Sequence, residues 1–299
     1  MKYRFYTCDV FTETRFGGNP LAVLPRADGL SDHQMQQITR EFNYSETSFV
    51  FPATAGHTRA VRIFTPAREI PFAGHPNVGT AFVLAVAGEL GAIGSSLTVT
   101  FEEKAGIVPV AIQEADGAIT LCELEAPQPV SVGRALPVRL VAASASLSPE
   151  DIVVGPHGPQ VASVGLPFVM VEVNDVATLA RARVDLTALE GLAAEDVRPE
   201  IYLYTWSQDR SQIRSRLFAP LAGVPEDPAT GSAACALAGL FASRDAQPTG
   251  SFRWRIVQGV EMGRPSTLLA RAEKSDGMVK RTWVGGSCVL VTQGDIQVD

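Results

Sequence analysis

The stretch GHPNVGTAFVLAVAGEL, residues 74–90, recurs about half a chain later as EDPATGSAACALAGLFA, residues 226–242. Four positions of the first copy have a matching residue 152 positions further on: Pro76 and Pro228, Gly79 and Gly231, Thr80 and Ser232, Ala81 and Ala233. A repeat at this spacing predicts two similar lobes, each with a helix that starts in this motif. Where the first copy has His75, the second has Asp227, so the two motifs carry different ionisable groups on one repeated frame.

Two further blocks repeat in the same order as the helix motif. RIFTP at residues 62–66 matches RLFAP at 216–220, and GNPLAV at 18–23 resembles GLPFVM at 165–170. Alternatively, chance recurrence of turn residues could produce such matches in a chain with 26 Gly and 20 Pro, but the conserved order favours duplication. The Pro-rich segment at 126–129 is the candidate linker, which divides the chain into lobes 1–128 and 129–299, with the last strand crossing back to the first lobe.

The centre of each helix motif is apolar on every side. Residues 81–87 read AFVLAVA and residues 233–241 read AACALAGLF, and a helix without a polar face is buried all round. The neighbouring segments alternate in polarity as strands do. The sequence therefore predicts an α+β fold with two pseudo-symmetric lobes. Each lobe is a barrel-like mixed sheet wrapped around a buried central helix, which starts at Pro76 or Pro228.

Composition excludes several classes of protein. The net charge of −7 and the lack of a basic run disfavour nucleic-acid binding. No apolar run approaches the ~20 residues that span a bilayer, and the first residues do not resemble a secretory signal. The cysteines are scattered, which is typical of free thiols in the cytoplasm, and nothing pairs the histidines outside the motif into a metal site. We expect those histidines on the surface: His33, His57 and His157.

Both helix starts are candidate substrate sites. His75 and Asp227 stand where a helix cap belongs, each followed by a proline at the predicted first helical position. A buried helix start presents backbone N–H groups and the positive end of the dipole, which together bind a carboxylate. Gly231 and Ser232 are small enough for a ligand to approach the backbone. Two ordinary capped helices are the alternative, although histidine is a poor cap.

Glu46 is the candidate acid or base. It lies in FNYSETSFVF, at the edge of an apolar strand, where an unpaired buried carboxylate is costly. A cleft-facing carboxylate that is shielded from water suits general acid/base work, whereas a solvent-facing glutamate at a strand edge is the alternative. Glu200 also precedes an apolar strand, but its flanking residues do not match those of Glu46.

Six stretches of this chain resemble, in order, those of the phenazine-biosynthesis PhzF-like proteins, which have the diaminopimelate-epimerase-like fold. The resemblance runs from about residue 3 to the end, and the pair GHPNVGTA and EDPATGSA is specific. One departure is Asn77, where the family commonly has threonine. The six stretches are GGNPLAVL, NYSETSFV, RIFTPAREIPFAGHPNVGTA, GVPEDPATGSAACAL, QGVEMGRPS and VGGS.

The resemblance implies a cofactor-free isomerase of a small carboxylic acid, cyclic acids included, with a homodimeric assembly. In the family, a glutamate moves a proton between ring carbons of dihydro-3-hydroxyanthranilate, and Glu46 stands at the matching position. His75 and Asp227 match the family's assisting residues. The positions that would hold the substrate are Ser45, Gly74, Gly231 and Ser232.

Two other classes of function remain open. Racemases and epimerases of this fold typically use two thiols, and here the helix starts carry His75 and Asp227 instead, which disfavours that mechanism. The same class of alternatives includes a dehydratase, and the substrate in this class would be an amino or hydroxy acid. A non-catalytic binding protein is the other class, and retention of Glu46, His75 and Asp227 argues against it.

Overall fold

The computed structural model describes residues 1–155, 158–195 and 197–299, so His157 lies outside the described residues. By its internal contacts the chain divides into two compact units, Met1–Pro127 with Val284–Asp299, and Gln128–Trp283.

The first unit carries eight consecutive strands, two helices and the C-terminal strand. Its elements are β1 (Lys2–Val10), β2 (Asn19–Leu24), α1 (Asp32–Phe42), β3 (Glu46–Phe51), β4 (Arg59–Phe64), β5 (Glu69–Ile70), α2 (Gly74–Val86), β6 (Ser96–Glu103), β7 (Gly106–Ala115), β8 (Ala118–Glu125) and, at the end of the chain, β18 (Cys288–Gln297).

The second unit has the remaining elements, and the last residues of its final strand pass into the first unit. In chain order these elements are β9 (Ser131–Ala135), α3 (Val138–Ser144), β10 (Gln160–Ser163), β11 (Pro167–Glu172), α4 (Val176–Arg181), α5 (Leu186–Ala193), β12 (Ile201–Trp206), β13 (Ile213–Ala219), β14 (Val224–Asp227), α6 (Gly231–Arg244), β15 (Gly250–Gln258), β16 (Ser266–Ser275) and β17 (Met278–Gly286).

The strand pairings of the two units follow the same scheme. In the first unit β1 pairs antiparallel with β2, β2 parallel with β3, β3 antiparallel with β4, and β4 antiparallel with β5 and parallel with β6, which pairs antiparallel with β7. In the second unit β10 to β16 repeat these pairings one for one. The predicted internal duplication and the α+β fold are therefore confirmed.

Each unit encloses its own apolar helix. In the first unit α2 packs against β1, β2, β3, β7, β8 and β18, and in the second unit α6 packs against β10, β11, β15 and β16. Residues 74–84 of α2 and 231–240 of α6 are all buried. Small residues permit this close packing: a Cβ on Gly79 would lie 2.6 Å from Leu21, and one on Gly239 would lie 2.6 Å from Val130.

The outer helices cover the other face of each sheet. In the first unit α1 begins with a capping box at Ser31 and buries Met35 and Ile38 against Phe49 and Phe64. In the second unit α3, α4 and α5 bury their apolar residues against β11, β12 and β13. In the described part of the chain, none of the helices is long and apolar enough to span a membrane.

The repeated RIFTP block forms the same ion pair in both units. Arg62 of β4 pairs with Glu69 and lies over the ring of Phe64, at 5.3 Å from the ring centre. In the second unit, Arg216 of β13 pairs with Glu226 and lies over Phe218 at 4.7 Å. Sequence duplication therefore extends to side-chain contacts.

Candidate functional site

Two of the predicted acid/base residues lie together in the first unit. Glu46 is the first residue of β3, next to Leu21 of the parallel strand β2, and His75 is the second residue of α2. The Nε2 atom of His75 lies 3.5 Å from Oε2 of Glu46, and the two side chains are 5% and 15% exposed. A carboxylate and an imidazole are thus held in one sheltered place.

His75 does not cap α2, and this part of the prediction is wrong. The helix begins at Gly74 after Ala73, so Pro76 is its third residue rather than its first. The first turn of a helix tolerates proline because its N–H groups have no intrahelical acceptor. The imidazole is therefore free of a capping role and is directed to Glu46.

The other ring nitrogen of His75, Nδ1, contacts a short series of hydrogen-bonded polar side chains. Nδ2 of Asn19 lies 3.2 Å from Nδ1 of His75, and the hydroxyl of Ser45 donates to Oδ1 of Asn19 at 3.2 Å. Burial lowers the pKa of His75 to about 3, so the ring is neutral at neutral pH. Asn19 carries no distinctive signal in the sequence, although a polar residue at the start of an apolar strand needs a partner when it is buried.

Asp227 lies in the second unit as the last residue of β14, opposite Leu217 of β13. The helix α6 begins at Gly231 after Thr230. The predictions that Asp227 caps this helix and that Pro228 is its first residue are therefore wrong. The reason is local, because the hydroxyl of Thr230 donates to Oδ2 of Asp227 and holds the intervening segment as a turn. Asp227 is 9% exposed.

The first turns of α2 and α6 present backbone N–H groups without side-chain caps. Ala73, the residue before α2, has no polar side chain, and the hydroxyl of Thr230, the residue before α6, makes no capping hydrogen bond with any described residue. Gly74 opens one helix and Gly231 and Ser232 open the other, and all three are buried. First-turn N–H groups and the helix dipole favour an anion at such positions, so these residues are suited to hold a carboxylate.

Gln258 fixes the turn that precedes α6. This fully buried amide donates from Nε2 to the carbonyl of Asp227 at 2.7 Å and to Oγ1 of Thr230 at 3.0 Å, and its Oε1 accepts from the N–H of Thr230 at 3.2 Å. The hydroxyl of Ser266 donates to the carbonyl of Pro228 at 2.9 Å. Gln258 and Ser266 are the first and last residues of the stretch QGVEMGRPS, and the sequence alone did not predict their part in the turn.

We expect the variant Q258E to lower the free energy of unfolding by about 2 kcal/mol, because it removes the donor and leaves buried acceptors unsatisfied. Urea unfolding at pH 7 measures this loss. The matched control is Q247E, which makes the same substitution at an exposed position. Equal stability of Q258E and Q247E would contradict the anchoring role.

Asn77, the departure from the family pattern, contacts a second buried carboxyl group. Its Nδ2 donates to the carbonyl of Ala73 at 2.9 Å, and its side chain is fully buried. Burial raises the pKa of Glu103, at the end of β6, to about 8, and the nearby amide of Asn77 opposes that rise. Glu103 is therefore protonated at neutral pH, close to the start of α2.

This raised pKa predicts a specific pH dependence of stability. From the ordinary value of 4.5 up to about 8 the folded chain keeps a proton on Glu103 that the unfolded chain releases, so stability falls as pH rises. The free energy of unfolding of E103Q relative to that of the wild type should therefore increase as pH rises, by at most about 1.4 kcal/mol per pH unit. Chemical unfolding between pH 5 and 8 measures it.

Glu102 provides the control for this prediction. Hydrogen bonds from Thr54 and Ala55 lower its pKa to about 2, so its stabilising effect is lost only as the pH falls below the ordinary value of 4.5. The difference between E102Q and the wild type should therefore stay constant between pH 5 and 8. A constant difference for E103Q as well would show that Glu103 is ionised in the folded chain.

The described cysteines and histidines do not form a metal site. Within residues 1–155, 158–195 and 197–299, no group of His, Cys, Asp or Glu side chains is arranged to hold a metal ion. All four cysteines are free thiols, and burial raises the pKa of Cys8, Cys122 and Cys288. His33 is exposed and His57 is half-buried.

Comparison with known proteins gives consistent matches over the whole chain. The model of a family described as phenazine biosynthesis-like protein, PhzC-PhzF, matches residues 8–294. The chain is 36% identical over 294 residues to trans-2,3-dihydro-3-hydroxyanthranilate isomerase of Pseudomonas aeruginosa, with 98% of each chain covered. It is 38% identical over 299 residues to the uncharacterized isomerase mll1393 of Mesorhizobium japonicum, with 96% of each covered.

Among solved structures, the PhzF family protein of Bacillus anthracis has the same fold. The TM-score is 0.89 at 24% sequence identity, and all of both chains is covered. This likeness confirms the predicted fold class.

Proposed function

We propose, since this chain is an isomerase of the PhzC-PhzF family of phenazine biosynthesis-like proteins, that it moves a proton between two carbons of a small carboxylic acid. The relative from Pseudomonas aeruginosa is named for a substrate that is a cyclic acid, and we propose a ring acid for this chain too. The single observation that carries the mechanism is the sheltered pair of Glu46 and His75, 3.5 Å apart.

Glu46 is the proposed acid/base. A carboxylate removes a proton from one carbon and returns it to another when both carbons come within hydrogen-bond reach. Such a transfer needs no redox or electron-sink chemistry, so a cofactor is not required. The partial burial of the Glu46 side chain, 15% exposed, leaves an opening for substrate and keeps most water away from the transferred proton.

His75 is proposed to assist Glu46 as a neutral group. Because burial lowers the pKa of His75 to about 3, the ring does not take up the transferred proton at neutral pH. Its Nε2 lies beside the Glu46 carboxyl and can bind either that carboxyl or a polar group of the substrate. Ser45, next to Glu46, and Gly74, next to His75, are the neighbouring proposed binding positions.

The start of α6 is proposed to bind the carboxylate of the substrate. The uncapped N–H groups of Gly231 and Ser232 and the helix dipole supply this affinity. Asp227 is proposed to hold a hydroxyl or amino group of the substrate, because an acidic side chain accepts hydrogen bonds from either. The anchoring of its turn by Gln258 keeps the carboxylate in one place.

The test is turnover in D2O followed by NMR. The wild-type chain is incubated with a panel of small ring acids that includes trans-2,3-dihydro-3-hydroxyanthranilate. The expected result is a shifted double bond with hydrogen or solvent deuterium at the carbon that receives the proton. Interconversion of enantiomers would favour a racemase or epimerase instead, and loss of water a dehydratase. Binding of an acid without any turnover would favour a non-catalytic protein.

We further propose a homodimer in the cytoplasm. The free thiols are typical of a reducing compartment, and the dimer rests on the family resemblance. Sedimentation equilibrium of the purified chain tests the dimer, and a single species with the mass of one chain, 31.8 kDa, would contradict it.

A further inference from the structure

We infer that Asn19 is a positioning residue that holds His75 in the tautomer with its hydrogen on Nε2, so that an N–H donor faces Glu46. The inference rests on the proposed function only for its consequence in catalysis. The tautomer itself follows from the hydrogen bonds around the ring and can be observed without a substrate.

The position of Asn19 is set by its strand and by the glycine before it. Asn19 is the first residue of β2, pairs with Val10 of β1 and is fully buried. Gly18 has a φ of +61°, and a Cβ there would lie 2.4 Å from the carbonyl of Val10. Only glycine fits this approach, and the chain therefore enters β2 with the Asn19 side chain held against His75.

The orientation of the Asn19 amide decides which ring nitrogen carries the hydrogen. The hydroxyl of Ser45 donates to Oδ1 of Asn19 at 3.2 Å, and Nδ2 lies 3.2 Å from Nδ1 of His75. An amide nitrogen has hydrogens and no lone pair to accept, so Nδ1 of His75 must be the acceptor. A neutral imidazole with an accepting Nδ1 carries its hydrogen on Nε2.

The consequence for Glu46 follows from charge and geometry. With hydrogen on Nε2, the positive end of the N–H dipole is 3.5 Å from Oε2 of Glu46, and a positive group at this distance favours the ionised carboxylate that acts as base. With hydrogen on Nδ1, the lone pair of Nε2 would face the carboxylate oxygen and repel it. Asn19 thus determines whether His75 supports or opposes the charged form of Glu46.

The experiment is long-range 1H–15N NMR of chain labelled with 15N-histidine. The chain has 4 histidines, and the signals of His75 are assigned by their loss in H75Q. The expected wild-type pattern is an unprotonated Nδ1 and a protonated Nε2. In N19D the carboxylate accepts where the amide donated, so we expect a hydrogen on Nδ1. In N19A the fixed donor is lost, and both tautomers should be populated.

The effect on turnover separates positioning from simple packing. We expect N19D to lower kcat about 10- to 100-fold, as large as the effect of changing a residue that orients a metal-binding histidine, with a smaller change in KM. The matched control is N174D, the same substitution at an exposed asparagine, which should keep the tautomer and kcat.

Three results would overturn the inference. These are a hydrogen on Nδ1 in the wild type, an unchanged tautomer in both Asn19 variants, or a reversed tautomer with wild-type kcat. The NMR pattern is read without substrate, so a chain that fails to isomerise any acid but shows the expected tautomers would count against the proposed function and not against the hydrogen bonds of Asn19.

Discussion

Replacing Glu46 with glutamine is expected to lower kcat by about 10²- to 10⁴-fold, the range that general acid/base catalysis contributes. Glutamine keeps the shape of the side chain and its contact with His75 but cannot take up or return a proton. Incorporation of solvent deuterium into substrate should fall by the same factor, because exchange and isomerisation share the proton on Glu46. Single-turnover NMR in D2O measures both rates.

The control for this prediction is E41Q, which removes a carboxylate at an exposed position five residues earlier in the sequence. It should leave both rates unchanged. The thermal midpoint of E46Q should stay near that of the wild type, because the Glu46 side chain is partly open to solvent at 15% exposure. Wild-type deuterium incorporation in a folded E46Q would remove Glu46 from the mechanism.

The fold could be predicted from the sequence because duplication and apolar helices are local signals. The repeated blocks correspond to β2 and β11, β4 and β13, and α2 and α6, and the two units share one pairing scheme. Very short strands give the weakest signals. β5 has 2 residues and β14 has 4, at or below the shortest run in which alternation of polarity indicates a strand. Their presence depends on pairing with β4 and β13.

The helix starts show where local rules were insufficient. Proline after a cap-like residue predicts the first helical position, yet α2 begins before Pro76 and α6 begins after Thr230. In the first unit the helix extends back through His75, whereas in the second the equivalent residues form the end of β14 and a turn. The difference arises from the local contact of Thr230 with Asp227 and from Gln258, which reaches the same turn from a distant part of the sequence.

The candidate site was predictable only in part, for the same reason. Glu46 and His75 could be identified because each is an unusual residue type in an apolar or repeated context. Asn19 and Gln258 are neutral amides, which are unremarkable in a sequence, and their importance comes from full burial and from partners far along the chain. Glu200, the residue set aside, lies just before β12 with its carboxylate paired to Arg198 at 2.5 Å.

The duplicated arginine predicts a large and unequal effect on stability. Arg216 is 4% exposed and Arg62 is 28% exposed. Arg216 donates to both oxygens of Glu226 and to the carbonyls of Leu179, Ala180 and Ala182. Removing one partner of a buried ion pair leaves the other charge uncompensated and costs about 3–5 kcal/mol. We therefore expect R216M to lower the free energy of unfolding by that amount.

Arg62 is the matched control because it makes the equivalent contacts nearer to solvent. Its guanidinium pairs with Glu69 and with Asp32, whose side chain is 78% exposed. In R62M the Asp32 carboxylate therefore stays in water, and Glu69, which is 13% exposed, keeps its ion pair with Lys104. We expect R62M to cost about 1 kcal/mol, as partly exposed pairs do. Urea unfolding of the full chain compares the two variants. Hydrogen exchange of peptides from α4 shows whether the end of this helix opens locally when its carbonyls lose the Arg216 donor in R216M.

The double variant R216M/E226L distinguishes an uncompensated charge from lost packing. If the cost of R216M comes from a stranded Glu226 carboxylate, replacing that carboxylate with an apolar side chain should restore part of the stability, because apolar pairs often substitute for buried ion pairs. If the cost comes from the three carbonyls near the end of α4, the second substitution restores nothing. Equal losses for R216M and R62M would contradict the premise that burial, rather than the shared contact pattern, sets the strength of this repeated pair.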